Sequence, residues 1–150
     1  MNVVAIDHGT SKIENGGDSV RERLLQIITE KSYRYSPTAD FKLASGASSK
    51  FYFDMKMTML DPDGIVLIAE ILDEMLSQRG VKYVAGLEMG AIPLVMAACM
   101  RGHHALIVRK DKKGHGAKKL LEGPTPPVGT EVILVEDVTT TGGSVRAAVD

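Results

Sequence analysis

The sequence predicts an α/β fold in which helices flank a mainly parallel sheet on both faces. Three observations carry this expectation. Apolar runs at 83–87, 105–108 and 132–135 have the length and near-continuous hydrophobicity of strands buried on both sides. A helical segment separates the first two runs, and strands alternating with helices are the pattern of a parallel sheet. The chain has 150 residues, enough for one domain that buries its core without metal or disulfide staples.

Each element has a local signal. Residues 1–18 carry Gly9, Gly16, Gly17 and scattered polar residues without a sustained period, and read as a flexible leader that includes Asp7 and His8. Ser19 and Glu22 have capping-box spacing, and Val20, Leu24, Ile27, Ile28 and Lys31 trace one helical face, predicting a helix over 19–31. Residues 41–44 and 51–58 follow, joined by a Ser/Gly-rich connector. In the second run Phe51, Phe53, Met55 and Met57 alternate with Asp54, Lys56 and Thr58, predicting a half-buried strand. Asp61-Pro62 supplies a cap and first-turn proline, and Arg79-Gly80 a stop, for a helix marked by Ile65, Ile68, Leu72, Met75 and Leu76. Pro93 opens a helix apolar almost all round from Ile92 to Met100, which places Cys99 in the core. Residues 109–130 form a long polar connector. After the 132–135 strand, residues 144–150 resemble the first turns of a helix, so the sheet is expected to continue past a chain truncated at its C-terminus.

Composition excludes several function classes. Lys and Arg number 18 against 19 Asp and Glu, for a net charge of −1, which removes any global attraction to nucleic acid or an anionic membrane. No apolar stretch approaches the ~18–20 residues of a membrane span, and no signal-peptide layout opens the chain. One cysteine cannot form an internal disulfide, which fits a reducing, cytoplasmic setting.

The most informative segment is Val132-Ile133-Leu134-Val135-Glu136-Asp137-Val138-Thr139-Thr140-Thr141-Gly142-Gly143-Ser144. A buried strand delivers two acids at its C-terminal end, then a Thr/Gly turn and a helix start, where open α/β sheets bind ligands. Gly142 and Gly143 allow backbone N–H groups to approach an anion, the hydroxyls of Thr140, Thr141 and Ser144 add donors, and the helix N-terminus adds positive potential. Carboxylates aimed at a phosphate would repel it, so Glu136 and Asp137 are placed to accept hydrogen bonds from sugar hydroxyls. The spacing and lysine of an ATP-binding P-loop are absent.

This run resembles the phosphoribosyl-pyrophosphate signature of type I phosphoribosyltransferases. The resemblance implies their fold, with Glu136 and Asp137 on the ribose hydroxyls and Thr140, Thr141, Gly142, Gly143 and Ser144 on the 5′-phosphate. A second segment, Arg109-Lys110-Asp111-Lys112-Lys113-Gly114-His115-Gly116, opens the long connector; a loop of that length is usually functional. It resembles the catalytic loop of the orotate phosphoribosyltransferases. By that resemblance Arg109, Lys110 and Lys113 contact pyrophosphate oxygens, His115 assists the departing pyrophosphate, and Lys113, His115 and Asp137 form the catalytic set. A third segment, 41–54, resembles the same family's F-x-L-x-S-G-x-x-S-x-x-Y motif, which puts Tyr52 and Phe53 beside the base. Ala44, Ala47 and Ser48 stand where many members have basic residues, and Lys42 could compensate. A fourth, 86–93, resembles the family's pyrophosphate loop, with Gly90 where some members have Lys.

The resemblance covers about residues 41–150. It divides the chain into a leader (1–18) and one phosphoribosyltransferase domain (19–150), comprising an N-terminal helix and base-side segment (19–60) and a core (61–150). It implies transfer of a phosphoribosyl group from phosphoribosyl pyrophosphate to orotate in UMP synthesis. Mg2+ would be bound through the pyrophosphate with no direct protein ligand. A homodimer is implied, whose 109–123 loop acts on the partner subunit, with no nucleic-acid or membrane partner. A regulator on the same fold and a purine-specific transferase are the alternatives. The family's further strand and a base-recognising arginine would lie beyond Asp150, leaving a sheet edge exposed.

Overall fold

The computed structural model describes residues 2–3, 19–43, 46–109, 120–139, 142–143 and 145–146. A two-residue strand, β1 (Asn2–Val3), precedes helix α1 (Val20–Ile27). The predicted capping box closes α1: Ser19 Oγ accepts from the Glu22 N–H at 3.2 Å, and the Glu22 carboxylate accepts from the Ser19 N–H at 2.7 Å. The helix runs on as a π-helical turn (Ile28–Ser32) and passes into β2 (Tyr33–Tyr35). Two small antiparallel ribbons follow. β3 (Phe41–Lys42) pairs with β4 (Ser48–Ser49), and β2 pairs with β5 (Phe51–Phe53).

The predicted strand over 51–58 is corrected. It ends at Phe53, and a short helix, α2 (Lys56–Met59), takes its second half. Asp54 turns the chain by accepting from the Lys56 N–H at 3.3 Å, and the alternation of Met55 and Met57 is not used. Thr58 and Met59 are buried instead, Thr58 through a 2.6 Å hydroxyl pair with buried Ser32.

Helix α3 (Pro62–Gln78) has the predicted cap, Asp61 accepting from the Gly64 N–H at 3.0 Å. Beyond it come β6 (Tyr83–Leu87), α4 (Ile92–Met100), β7 (His104–Val108), β8 (Leu121–Glu122) and β9 (Glu131–Val135). The five-stranded sheet has the order β1-β9-β6-β7-β8, parallel except for β8. β8 lies inside what was expected to be an unstructured connector. β1 lies along β9 at one edge of the sheet, pairing Asn2 with Glu131 and Val3 with Val132. Asn2 and Val3 of the predicted leader thus pair with the sheet, while residues 4–18 lie outside the described residues.

Packing follows the strand alternation. Val84, Ile133 and Val135 face Leu76 of α3 and Val95 and Ala98 of α4, whereas Ala85, Leu106 and Val132 form a second buried cluster on alternate positions. Gly86 lets α4 lie close to the sheet, because a Cβ there would meet the Ala91 Cβ at 2.7 Å. α4 is not buried all round. Its inner face is Ala91, Val95 and Ala98, while Met96 (48% exposed), Met100 (83%) and Cys99 point outward, which corrects the core placement of Cys99.

Candidate active site

Strand register aligns the chemistry-bearing positions. Gly86 pairs with Val135 and Leu87 with Val108, so β6, β7 and β9 end at one level. Their next residues, Glu88, Arg109 and Glu136, emerge on the same carboxyl edge of the sheet, where open α/β folds bind ligands. The Glu88 N–H donates to the Val108 carbonyl at 2.8 Å, tying the β6–α4 loop to the end of β7. The Glu88–Met89 peptide bond in this loop is cis.

At the end of β9 the two predicted acids are half-buried. The Asp137 N–H donates to Glu136 Oε1 at 3.3 Å. The Asp137 carboxylate reaches across to Gly90, where an added Cβ would lie 2.5 Å from both of its oxygens. Asp137 of the 132–144 segment thus lies against the loop of the 86–93 segment. Gly142 has φ +74°, a conformation suited to glycine. Its carbonyl accepts from the Arg146 N–H at 3.0 Å, the i to i+4 bond of a helical turn. The predicted phosphate-side residues Gly142 and Gly143 thus sit where a turn becomes helix.

Arg109 stands at the root of the long connector. Its Nη2 lies 3.5 Å from Glu88 Oε2 and its Nη1 3.6 Å from Glu122 Oε1. Its N–H donates to the Leu120 carbonyl at 2.8 Å, so the entry and exit of the connector are joined at this residue. Sequence reasoning missed both carboxylate partners. Glu122 has no signal without β8, whose two residues are too short for a periodicity.

The base-side residues are divided by the pleat of β5. Tyr52 stacks on Phe41 with centroids 5.5 Å apart, whereas Phe53 packs on Tyr33 at 5.1 Å on the other face of the ribbon. Lys42 is exposed, and its Nζ donates to Ser48 Oγ at 3.2 Å. Lys56 is a cation that sequence reasoning left in a strand face without a role. It bonds Asp54 at 2.6 Å, and that bond, followed by the charges of Asp54 and Asp137, holds its pKa above the usual lysine value. Lys110, Lys113, His115, Thr140, Thr141 and Ser144 lie outside the described residues.

No family model matches the chain. The orotate phosphoribosyltransferase of Bradyrhizobium sp. strain BTAi1 is 46% identical over 87% of this chain and 74% of its own length. That of Nostoc sp. strain PCC 7120 is 40% identical over 88% of this chain and 65% of its own. Among solved structures, Mycobacterium tuberculosis H37Rv orotate phosphoribosyltransferase in complex with 5-phospho-α-D-ribosyl 1-diphosphate superposes with a TM-score of 0.66 at 28% identity, covering 88% of this chain and 75% of that one. A phosphoribosyltransferase from Corynebacterium diphtheriae gives 0.69 at 30% identity over 87% and 72% of the two chains.

Proposed function

The chain belongs to the orotate phosphoribosyltransferase family, and on that premise we propose that it transfers the 5-phosphoribosyl group of phosphoribosyl pyrophosphate to orotate. The products are orotidine 5′-monophosphate and pyrophosphate, in the de novo route to UMP. The observation that carries this reading is the contact of Asp137 with Gly90, which sets a sugar-binding carboxylate against the loop assigned to pyrophosphate.

In this reading Glu136 and Asp137 accept hydrogen bonds from the ribose hydroxyls, and Thr140, Thr141, Gly142, Gly143 and Ser144 surround the 5′-phosphate. Tyr52 and Lys42 border the orotate, with Phe53 supporting them from the opposite face of the ribbon. As the C1–O bond breaks, positive charge grows on the sugar and negative charge on the pyrophosphate. Arg109, Lys110, Lys113 and His115 supply the cations that stabilise the leaving group, and closure of their loop excludes water from the sugar cation. Mg2+ would be carried by the pyrophosphate of the substrate and would offset its charge.

The proposal includes a cytoplasmic homodimer in which the 109–123 loop acts at the partner subunit. The outward apolar stripe of Met96, Cys99 and Met100 on α4 supports an interface. Residues 19–60 form the base side of a single domain and 61–150 its core, which the separation of the two small ribbons from the main sheet supports. Among the described residues no helix is long and apolar enough to cross a membrane.

The direct test follows orotate ultraviolet absorbance after adding phosphoribosyl pyrophosphate and Mg2+, with each omitted in turn. Consumption that requires both is expected. Folded protein that leaves orotate untouched would overturn the reading.

A further inference from the structure

The Arg109 guanidinium has a partner set that does not satisfy it. Its two carboxylate contacts, 3.5 Å to Glu88 and 3.6 Å to Glu122, exceed the ~2.7–2.9 Å of a charge-assisted hydrogen bond. Its Nε is sealed from water and has no hydrogen-bond partner among the described residues. Arg109 is thus held by charge from two sides while one buried donor awaits an acceptor. Its side chain is 21% exposed, that of Glu88 28% and that of Glu122 49%. Glu122 is the more solvated of the two acids and sits on a two-residue strand. Glu88 is anchored by its backbone bond to Val108.

An anion arriving at this edge meets one positive and two negative charges. We propose that Glu122 competes with the pyrophosphate group for Arg109 and thereby sets how tightly the site holds that group. In the empty site Glu122 restrains the guanidinium over the connector root. When pyrophosphate enters, phosphate oxygens take the Arg109 donors, Nε included, and the Glu122 carboxylate returns to water. The exchange weakens binding of both the substrate and the released pyrophosphate, and so favours product departure. It rests on the reading of Arg109 as a pyrophosphate contact, whichever subunit's substrate it meets.

Calorimetric titration of the full chain with Mg2+-pyrophosphate, and separately with Mg2+-phosphoribosyl pyrophosphate, tests it on the wild type, E122Q, R109Q and the double variant. The amide of E122Q keeps the shape of the carboxylate and loses its charge. E122Q is expected to lower the pyrophosphate Kd about two- to fivefold, the range for a solvent-exposed ion pair, with a smaller gain at high salt. In the R109Q background the same change is expected to be silent. A merely structural Glu122 would give unchanged or weaker binding in E122Q, and that result overturns the proposal. Tightening that persists without Arg109 also overturns it, since repulsion alone would then suffice. If the wild type binds neither ligand, the functional reading itself fails; if the wild type binds and E122Q does not tighten, only the competition fails.

Discussion

The Asp137 carboxylate occupies the space into which a side chain at Gly90 would grow, both oxygens lying 2.5 Å from an added Cβ. A Gly90→Ala substitution must therefore displace a short, rotatable carboxylate rather than backbone. Stability should change little, while Asp137 loses its position against the sugar. A misplacement near 1 Å can cost about 10²-fold, so kcat/KM for phosphoribosyl pyrophosphate is expected to fall by about 10- to 100-fold at a nearly unchanged thermal midpoint. An alanine variant with wild-type kcat/KM would separate Gly90 from the site.

Gly86 meets a harder wall. Its added Cβ would lie 2.7 Å from the Ala91 Cβ and 2.9 Å from Val95 Cγ1, inside the contact between β6 and α4. Gly86→Ala should destabilise the fold by about 1–3 kcal/mol through overpacking, read as a lower urea midpoint at constant m-value.

The buried Ser32–Thr58 pair joins the end of the first helical segment to α2. Thr58→Val preserves shape but strands the Ser32 hydroxyl, at a cost of about 1–3 kcal/mol. Adding Ser32→Ala should restore part of that loss, so urea melts of the two single variants and the double should show non-additivity. Strictly additive losses would mean that the hydroxyls do not act as a pair.

Asp61 links stability to acid. The Lys31 ammonium bonds its carboxylate, and together with the Gly64 N–H lowers the Asp61 pKa. A depressed folded pKa stabilises the protein above the unfolded value of ~3.9, and that contribution is lost as pH falls through the folded value. Asp61→Asn keeps an acceptor for the cap and removes the charge. It should melt below the wild type at pH 7, and the gap should close under strongly acidic conditions. Lys31, raised by the same bond, contributes below the unfolded lysine value and loses that contribution only at strongly alkaline pH.

Lys113 belongs to the segment whose role rests on the family resemblance. Lys113→Ala is expected to lower turnover by about 10²–10³, the magnitude for one transition-state charge partner. Unchanged kcat in a steady-state assay would remove it from the mechanism.

Where a signal is local, it was legible. Ser19 with Glu22, Asp61 with Pro62, and the apolar runs of β6, β7 and β9 act through bonds or burial that a few adjacent residues specify. The alternation at 51–57 misled because Asp54 satisfies a backbone N–H two residues on, and Thr58 finds Ser32 from a distant helix. β1 and β8, two residues each, are strands only because a neighbour supplies their hydrogen bonds. The exposed face of α4 escaped notice because hydrophobicity alone does not distinguish the side that meets the sheet from the side that does not.

By itself the sequence determined the family, the parallel core and the two acids that end β9, because those depend on residue types in a contiguous order. Tertiary structure alone decided that Asp137 lies against Gly90, that Tyr52 and Phe53 pack on opposite faces of their ribbon, and that Arg109 sits between Glu88 and Glu122. The physical reason is range. Capping, patterning and turn chemistry act over a few residues, whereas these contacts join positions from separate strands and loops. They arise only when packing sets the strand register and the direction in which each side chain leaves the backbone.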